Sequence, residues 1–166
     1  AQAERGERVG TRPPYGYKKD ESNPKKIVLD PEAAEVVRHI FKLCAEGRGP
    51  KQIAKQLTEE QVVNPSNYYF NQTGVALTNL DTTRPYRWIS SSIVSILDDE
   101  TYLGHTVSMK HTTASYKNKK QIIRPESEWL RFENTHEGII DQEIWDIAHA
   151  VREHKKRPRK NMENPN

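Results

Sequence analysis

Cysteine is nearly absent from the sequence: Cys44 is the single one in 166 residues. One thiol cannot close an internal disulfide, and it excludes a zinc site built from several cysteines of this chain. Methionine (two) and phenylalanine (three) are also scarce, and an apolar share of 34% against 30% charged residues implies a modest core under a heavily solvated surface. No apolar run approaches the roughly 20 residues that cross a bilayer, and the first ten residues are too polar for a secretory signal. Together these absences read as an intracellular, cytoplasmic protein without membrane association. Motifs that carry chemistry are missing as well: no glycine-rich phosphate loop, no His-Glu-x-x-His, no Cys-x-x-Cys, no nucleophile elbow. The six histidines are scattered, and His149 and His154, five apart, do not share a helix face. No catalytic residue, metal ligand or cofactor is expected.

Charge is plentiful and unevenly placed. Lys and Arg number 26 and Asp and Glu 23, a balance of only +3. Before Ile27 seven basic residues face four acidic ones; from His105 to Arg131 the ratio is six to two; from Arg152 to Lys160 six of nine residues are basic. Between Asp30 and Glu100 the balance reverses, ten acidic to seven basic. A mildly acidic body with basic extensions suits wrapping around a polyanion better than enclosing one. Solvated surface is the plain alternative for any single run.

Residues 1–14 set Arg5, Arg8 and Arg12 among Gly6, Gly10, Pro13 and Pro14, so an extended arm is expected rather than a helix. Arginines on such an arm suit a narrow minor groove, where negative potential is concentrated; a disordered terminus has the same composition. Pro14-Tyr15-Gly16-Tyr17 reads as a turn, followed by a polar loop and a short strand at Ile27–Leu29. Asp30 and Pro31 open a helix as N-cap and first helical residue, with Ala33, Val36, Val37, Ile40, Phe41 and Cys44 on one side. Gly47 and Gly49 end it, and Pro50 starts a second helix with Ile53, Ala54 and Leu57 inward and Lys51 outward. Two helices joined so briefly cross steeply, the front half of a helix-turn-helix. Gln61 to Tyr86, rich in Asn, Thr and Pro, reads as a long loop whose Tyr68, Tyr69 and Phe70 either stack on a ligand or tack the loop to the core.

Arg87 to Leu97 is expected to be the third helix. Ile89, Ile93, Ile96 and Leu97 share one face; Ser91, Ser95 and Asp98 point the other way, with Ser92 on the flank. Ser90, Ser91 and Ser92 crowd its first turn, where free N–H groups favour an anion such as a phosphate; as simple caps they need no ligand. Tyr102 to Met109 alternates as a strand, Lys110–Lys120 is a basic turn, and Gln121–Arg124 and Glu128–Phe132 return as strands. Such a hairpin suits a wing on the phosphate backbone, although an exposed lysine loop looks the same. Asp141 caps a last helix with Ile144, Trp145, Ala148 and Val151 inward. The fold class expected is α+β: a mostly helical, helix-turn-helix or winged-helix-like core with a small antiparallel β-sheet and extended basic arms. The division is an arm at 1–14, a domain at 15–154 and a basic linker at 155–166.

The ordered motifs resemble the recombinase domain of the large serine recombinases, the class of phage serine integrases and serine transposases. Gly10 and Pro14 to Tyr17 match its opening Gly-x-x-x-Pro-Tyr-Gly-Tyr; Glu32-Ala33, Val36 or Val37 and Ile40-Phe41 approximate its first helix. Ile53-Ala54 with Leu57 follow, then Trp88 with Ile93, Ile96-Leu97, Tyr102 and Gly104, then Trp129, and His136 with Ile139-Ile140. Each piece is weak and the order is specific.

That resemblance implies a sequence-specific DNA-binding domain that recognises recombination half-sites on double-stranded DNA. In the family a separate N-terminal domain carries the serine nucleophile and a zinc-ribbon domain follows, so the chain is expected to be a fragment without either, working with other recombinase subunits through domains outside it. DNA contacts are then expected from Arg5, Arg8, Arg12 and Tyr17 along the arm; from Lys51, Arg87, Ser90, Ser91, Ser92 and Ser95 around the third helix; and from Lys110, Lys117, Lys119, Lys120 and Arg124 on phosphates. The Gln61–Tyr86 stretch departs from the family pattern. The rival reading is a basic adaptor that binds an acidic protein partner.

Overall fold

The tetrapeptide Pro14-Tyr15-Gly16-Tyr17 is where separate parts of the chain meet. Gly16 sits at φ 103°, and a Cβ there would come within 2.8 Å of Ile139 Cδ1 and 3.1 Å of Val37 Cγ2, so both the conformation and the space require glycine. Its carbonyl accepts from the Asp30 N–H at 3.0 Å. Tyr15 stands edge-on to Tyr68 and Trp88, and its carbonyl accepts from the Tyr102 hydroxyl at 2.6 Å. Tyr17 is 6% exposed, stacks on Tyr102, and donates its hydroxyl to the carbonyls of Glu137 (2.8 Å) and Thr101 (3.1 Å).

The computed structural model describes residues 12–108, 111–113, 121–123, 130–132 and 135–155. Strand β1 (Tyr17–Lys19) pairs antiparallel with β2 (Ile27–Leu29). Helix α1 (Pro31–Ala45) is the central element, with Ala34, Val37, Ile40, Phe41 and Cys44 wholly buried at helical spacing. Against it packs α5 (Gln142–Lys155): Phe41 stacks on Trp145, and the Cys44 thiol lies 3.5 Å from the Ala148 carbonyl. Burial pushes that thiol's pKa up, in keeping with an inert core residue. Asp141 caps α5 by accepting from the Ile144 N–H at 2.8 Å.

Helix α2 (Pro50–Glu59) packs on α4 (Ser90–Leu97). Ile53 and Leu57 meet the core that also holds Ile93, Ile96 and Leu97. Trp88 fixes the approach to α4: its backbone N–H reaches Thr58 Oγ1 at 3.1 Å, and its indole N–H reaches the Val62 carbonyl at 2.9 Å. Helix α4 thus starts at Ser90 rather than Arg87, and Ile89, expected on the apolar face, is 44% exposed. It occupies the extended N-cap position, φ −122°, where the helical period does not yet apply.

Two further expectations are corrected. The supposed loop from Gln61 to Tyr86 contains a helix, α3 (Pro65–Thr73). Asn64 is its N-cap and accepts from the Asn67 N–H, Pro65 opens it, and Gly74 at φ 76° closes it. In place of an unbroken strand from Tyr102 to Met109, Glu100–Leu103 forms a 3-10 turn capped by Asp99 and stopped by Gly104 at φ 96°. Only then does β3 (Thr106–Ser108) run, paired with β6 (Leu130–Phe132); β4 (His111–Thr113) pairs with β5 (Gln121–Ile123). The architecture is mostly helical α+β, its strands forming three separate antiparallel pairs among the described residues. No helix among them is long and apolar enough to cross a membrane.

Candidate nucleic-acid interface

Residues 12–17, α3 with its following turn, and α4 border a groove of about 840 Å³. One wall is Arg12 to Tyr17; the second is Tyr69, Gln72 and the Leu77–Arg84 turn; the third is Arg87, Ser92 and Ser95 at the start and outer side of α4. Its position follows from local rules: Trp88 and Ile93 anchor α4 by their apolar sides, which turns Ser91 and Ser95 outward. Ile89 at the N-cap offers no side-chain acceptor, so the serines do not cap the helix; the Ser92 N–H turns back to the Ile89 carbonyl at 3.2 Å, while those of Ser90 and Ser91 keep their capacity for an outside acceptor.

The second wall is held by a buried carboxylate. Asp30, 5% exposed, accepts from the Tyr68 hydroxyl at 2.9 and 2.8 Å and from Gln72 Nε2 at 3.0 Å, instead of capping α1 with its side chain. Of the two readings of the aromatics, Tyr68 follows the second: it tacks α3 to the core. Burial, and for Tyr68 the adjoining Asp30, push the Tyr15, Tyr17 and Tyr68 hydroxyls well above the ordinary phenol range, so all three remain neutral donors. Asn64 ties the two ends of the insertion together, its Nδ2 donating to the carbonyls of Arg84 (3.3 Å) and Arg87 (3.0 Å).

The arginines divide into two groups. Arg38 pairs with Glu35, Arg84 with Asp81 and Arg152 with Asp98, while Arg48 donates to Gln56. Arg12 and Arg87 have no ionic partner among the described residues, and both are exposed and border the groove. The charged groups lining it are Arg12, Arg84 and Arg87 against Asp81 and Asp99. Both carboxylates are engaged: Asp99 caps the 3-10 turn, and Asp81 is bonded by the Thr83 hydroxyl and by Arg84, which hold its pKa down at about 2.

The expected DNA-contacting residues therefore separate. Arg12, Arg87, Ser92 and Ser95 come together on the groove; Ser90 and Ser91 lie on the same helix outside it, and Lys51 is exposed on α2, away from it. Tyr17 borders the groove but is a core residue, 6% exposed, with its ring stacked on Tyr102 and its hydroxyl directed at two backbone carbonyls. Arg5, Arg8, Lys110, Lys117, Lys119, Lys120 and Arg124 lie outside the described residues. Arg84 and Asn64 are not among the expected site residues, and Tyr69, weighed as a stacking or a tacking aromatic, lines the groove. Their signal was available, since Asn64-Pro65 followed by Gly74 repeats the start-and-stop grammar of Asp30-Pro31 and Gly47. Among the described residues no group of three His, Cys, Asp or Glu side chains could hold a metal ion.

The family model for Recombinase matches residues 31–155, from the first residue of α1 to the last of α5. The chain belongs to the Recombinase family. Two solved structures share the fold of this recombinase domain. One is from work on the sequence requirements of the Listeria innocua prophage attP site, with TM-score 0.54 and 17% identity over 92% of this chain and 48% of that one. The other is a crystal structure of an LSR–DNA complex, with TM-score 0.58 and 16% identity over 98% of this chain and 40% of that one. The recombinase domain thus spans less than half the length of either.

Proposed function

We propose that the chain is the sequence-specific DNA-binding domain of a site-specific serine recombinase, that it recognises one recombination half-site, and that it carries no nucleophile itself. The observation that carries this reading is the pair of unpaired arginines, Arg12 and Arg87, flanking a groove beside the serine face of α4. Exposed guanidinium groups left without a carboxylate partner offer charge-assisted donors to phosphates and base edges. Short hydroxyl side chains let α4 approach a major groove closely, and the open first turn adds backbone donors for a phosphate. Arg12 leads the arm onto the duplex, with Arg5 and Arg8 continuing into the minor groove. Lys51, Lys110, Lys117, Lys119, Lys120 and Arg124 serve the phosphate backbone. Family membership, together with structural neighbours described as a DNA complex and in terms of an attP site, supports the reading. Strand exchange for integration or excision is then the work of the parent protein, through a serine supplied by another domain and other recombinase subunits.

The test is selection of duplexes from a randomised library by this chain, followed by gel shifts with Arg87→Glu and Ser91→Glu. Both acidic substitutions, a charge reversal at Arg87 and an added carboxylate at Ser91, are expected to abolish the sequence preference. Intact preference in both variants removes α4 as the reading helix.

A further inference from the structure

Resting on that reading, we propose that α3 and the turn after it are a second DNA-contacting wall, in which Arg84 holds a phosphate of the strand lying along the groove. Arg84 is exposed and lines the same groove as Ser92 and Ser95. Its ion pair with Asp81 is made through Nε, at 2.9 Å, which leaves the edge formed by the two terminal amino groups without a protein partner. That edge matches two phosphate oxygens bidentately. Asp81 acts as an orienting group, since its carboxylate is fixed in turn by the Thr83 N–H at 3.0 Å.

The wall is built to hold a position. The Asn64 side chain grips the carbonyls on either side of Pro85 and Tyr86, its N–H reaches the Pro85 carbonyl at 2.8 Å, and Asn67 Nδ2 reaches the Asp81 carbonyl at 3.1 Å. The Asn64 and Asn67 amides therefore fix the 81–87 backbone against the start of α3, and the Arg87 N–H, 3.3 Å from the Arg84 carbonyl, keeps the two arginines within one turn, so that both line the groove. Arg12 supplies a third at the arm. Between them lie hydroxyl and amide groups, the carboxylates of Asp81 and Asp99 and the half-buried ring of Tyr69. Three guanidinium groups along a polar groove whose two carboxylates are already engaged, Asp81 by Arg84 and Thr83 and Asp99 by the Thr101 N–H, fit a sugar–phosphate strand with its regularly spaced anions. The stretch that departs from the family pattern would then add contacts on the flank of the half-site read by α4.

The experiment is fluorescence anisotropy with the whole chain and a labelled duplex taken from the library selection, over a series of salt concentrations. Arg84→Ala is expected to weaken binding roughly tenfold and to reduce the slope of log K against log salt by about 0.9, the value for one phosphate contact. Arg84→Lys should keep the slope. Arg48→Ala, which removes the same charge from an exposed site off the groove, should keep both. If Arg84→Ala matches Arg48→Ala while Arg87→Glu still abolishes the preference, the second wall is wrong and the reading helix stands. If Arg84→Ala and Arg84→Lys lose binding equally and both lower the melting temperature, Arg84 merely holds the turn, which also overturns the proposal. Absence of salt-dependent binding by the unaltered chain removes the DNA reading as a whole.

Discussion

Replacing Tyr17 by Phe separates a core role from a DNA-contacting role at one residue. The ring stays, so the stacking on Tyr102 and the edge contact with His136 are kept, and only the hydroxyl goes. Two carbonyls lose a donor. Thr101 O retains the His136 ring nitrogen at 2.7 Å, whereas Glu137 O loses the 2.8 Å bond from Tyr17. The hydroxyl's one proton is shared between the two carbonyls, so a single hydrogen bond is lost, and leaving Glu137 O without this donor brings the cost to about 1–2 kcal/mol. For a chain of this size each kcal/mol moves the melting temperature by about 2–4 °C, so a fall of roughly 2–8 °C is expected in a thermal melt followed by circular dichroism. Affinity for a selected duplex should not change. An unchanged melting temperature with weakened DNA binding would refute the reasoning and return Tyr17 to the interface.

Removing the Asp30 carboxylate as Asp30→Ala leaves the Tyr68 and Gln72 donors without their acceptor and should cost about 1–3 kcal/mol. The effect should concentrate in α3, read as faster amide hydrogen exchange from Tyr68 to Thr73 than in α1. Asp81 has a folded pKa of about 2, below its ordinary 3.8, because the Thr83 hydroxyl and then Arg84 favour the charged form. A group lowered in this way stabilises the fold above its unfolded pKa and stops doing so as pH falls through the folded one, so its contribution is lost between about pH 4 and 2. An NMR titration should place the Asp81 midpoint near 2; a midpoint near 3.8 means that the turn does not hold Arg84 as described.

Elements with their own start and stop residues were legible from the sequence. Asp30-Pro31 with the Ala34, Val37, Phe41 and Cys44 stripe gives α1 its position, and Gly49-Pro50 does the same for α2. What escaped depended on partners distant in the chain. Helix α3 has half-buried aromatics without a clear apolar stripe, because it is held by the Tyr68–Asp30 bond across 38 positions rather than by an amphipathic face. Tyr17 looks like an exposed aromatic beside basic residues; only the approach of Glu137, 120 positions later, makes it a core donor. At the site, the serine face of α4 follows from periodicity once Ile93, Ile96 and Leu97 are placed inward. The contribution of Arg84 does not, since it requires Asn64 to bring the 84–87 backbone to the start of α3.

The central claim is that this recombinase domain reads duplex DNA by sequence through α4. The most direct measurement is the affinity of the chain for a library-selected duplex and for its scrambled counterpart at several salt concentrations. Both affinities are expected to fall as salt rises, with the selected duplex bound more tightly throughout, by the factor of roughly 10³ or more that marks specific recognition. Equal affinity for the two duplexes, or binding indifferent to salt, would contradict it and leave the basic surfaces to an acidic protein partner.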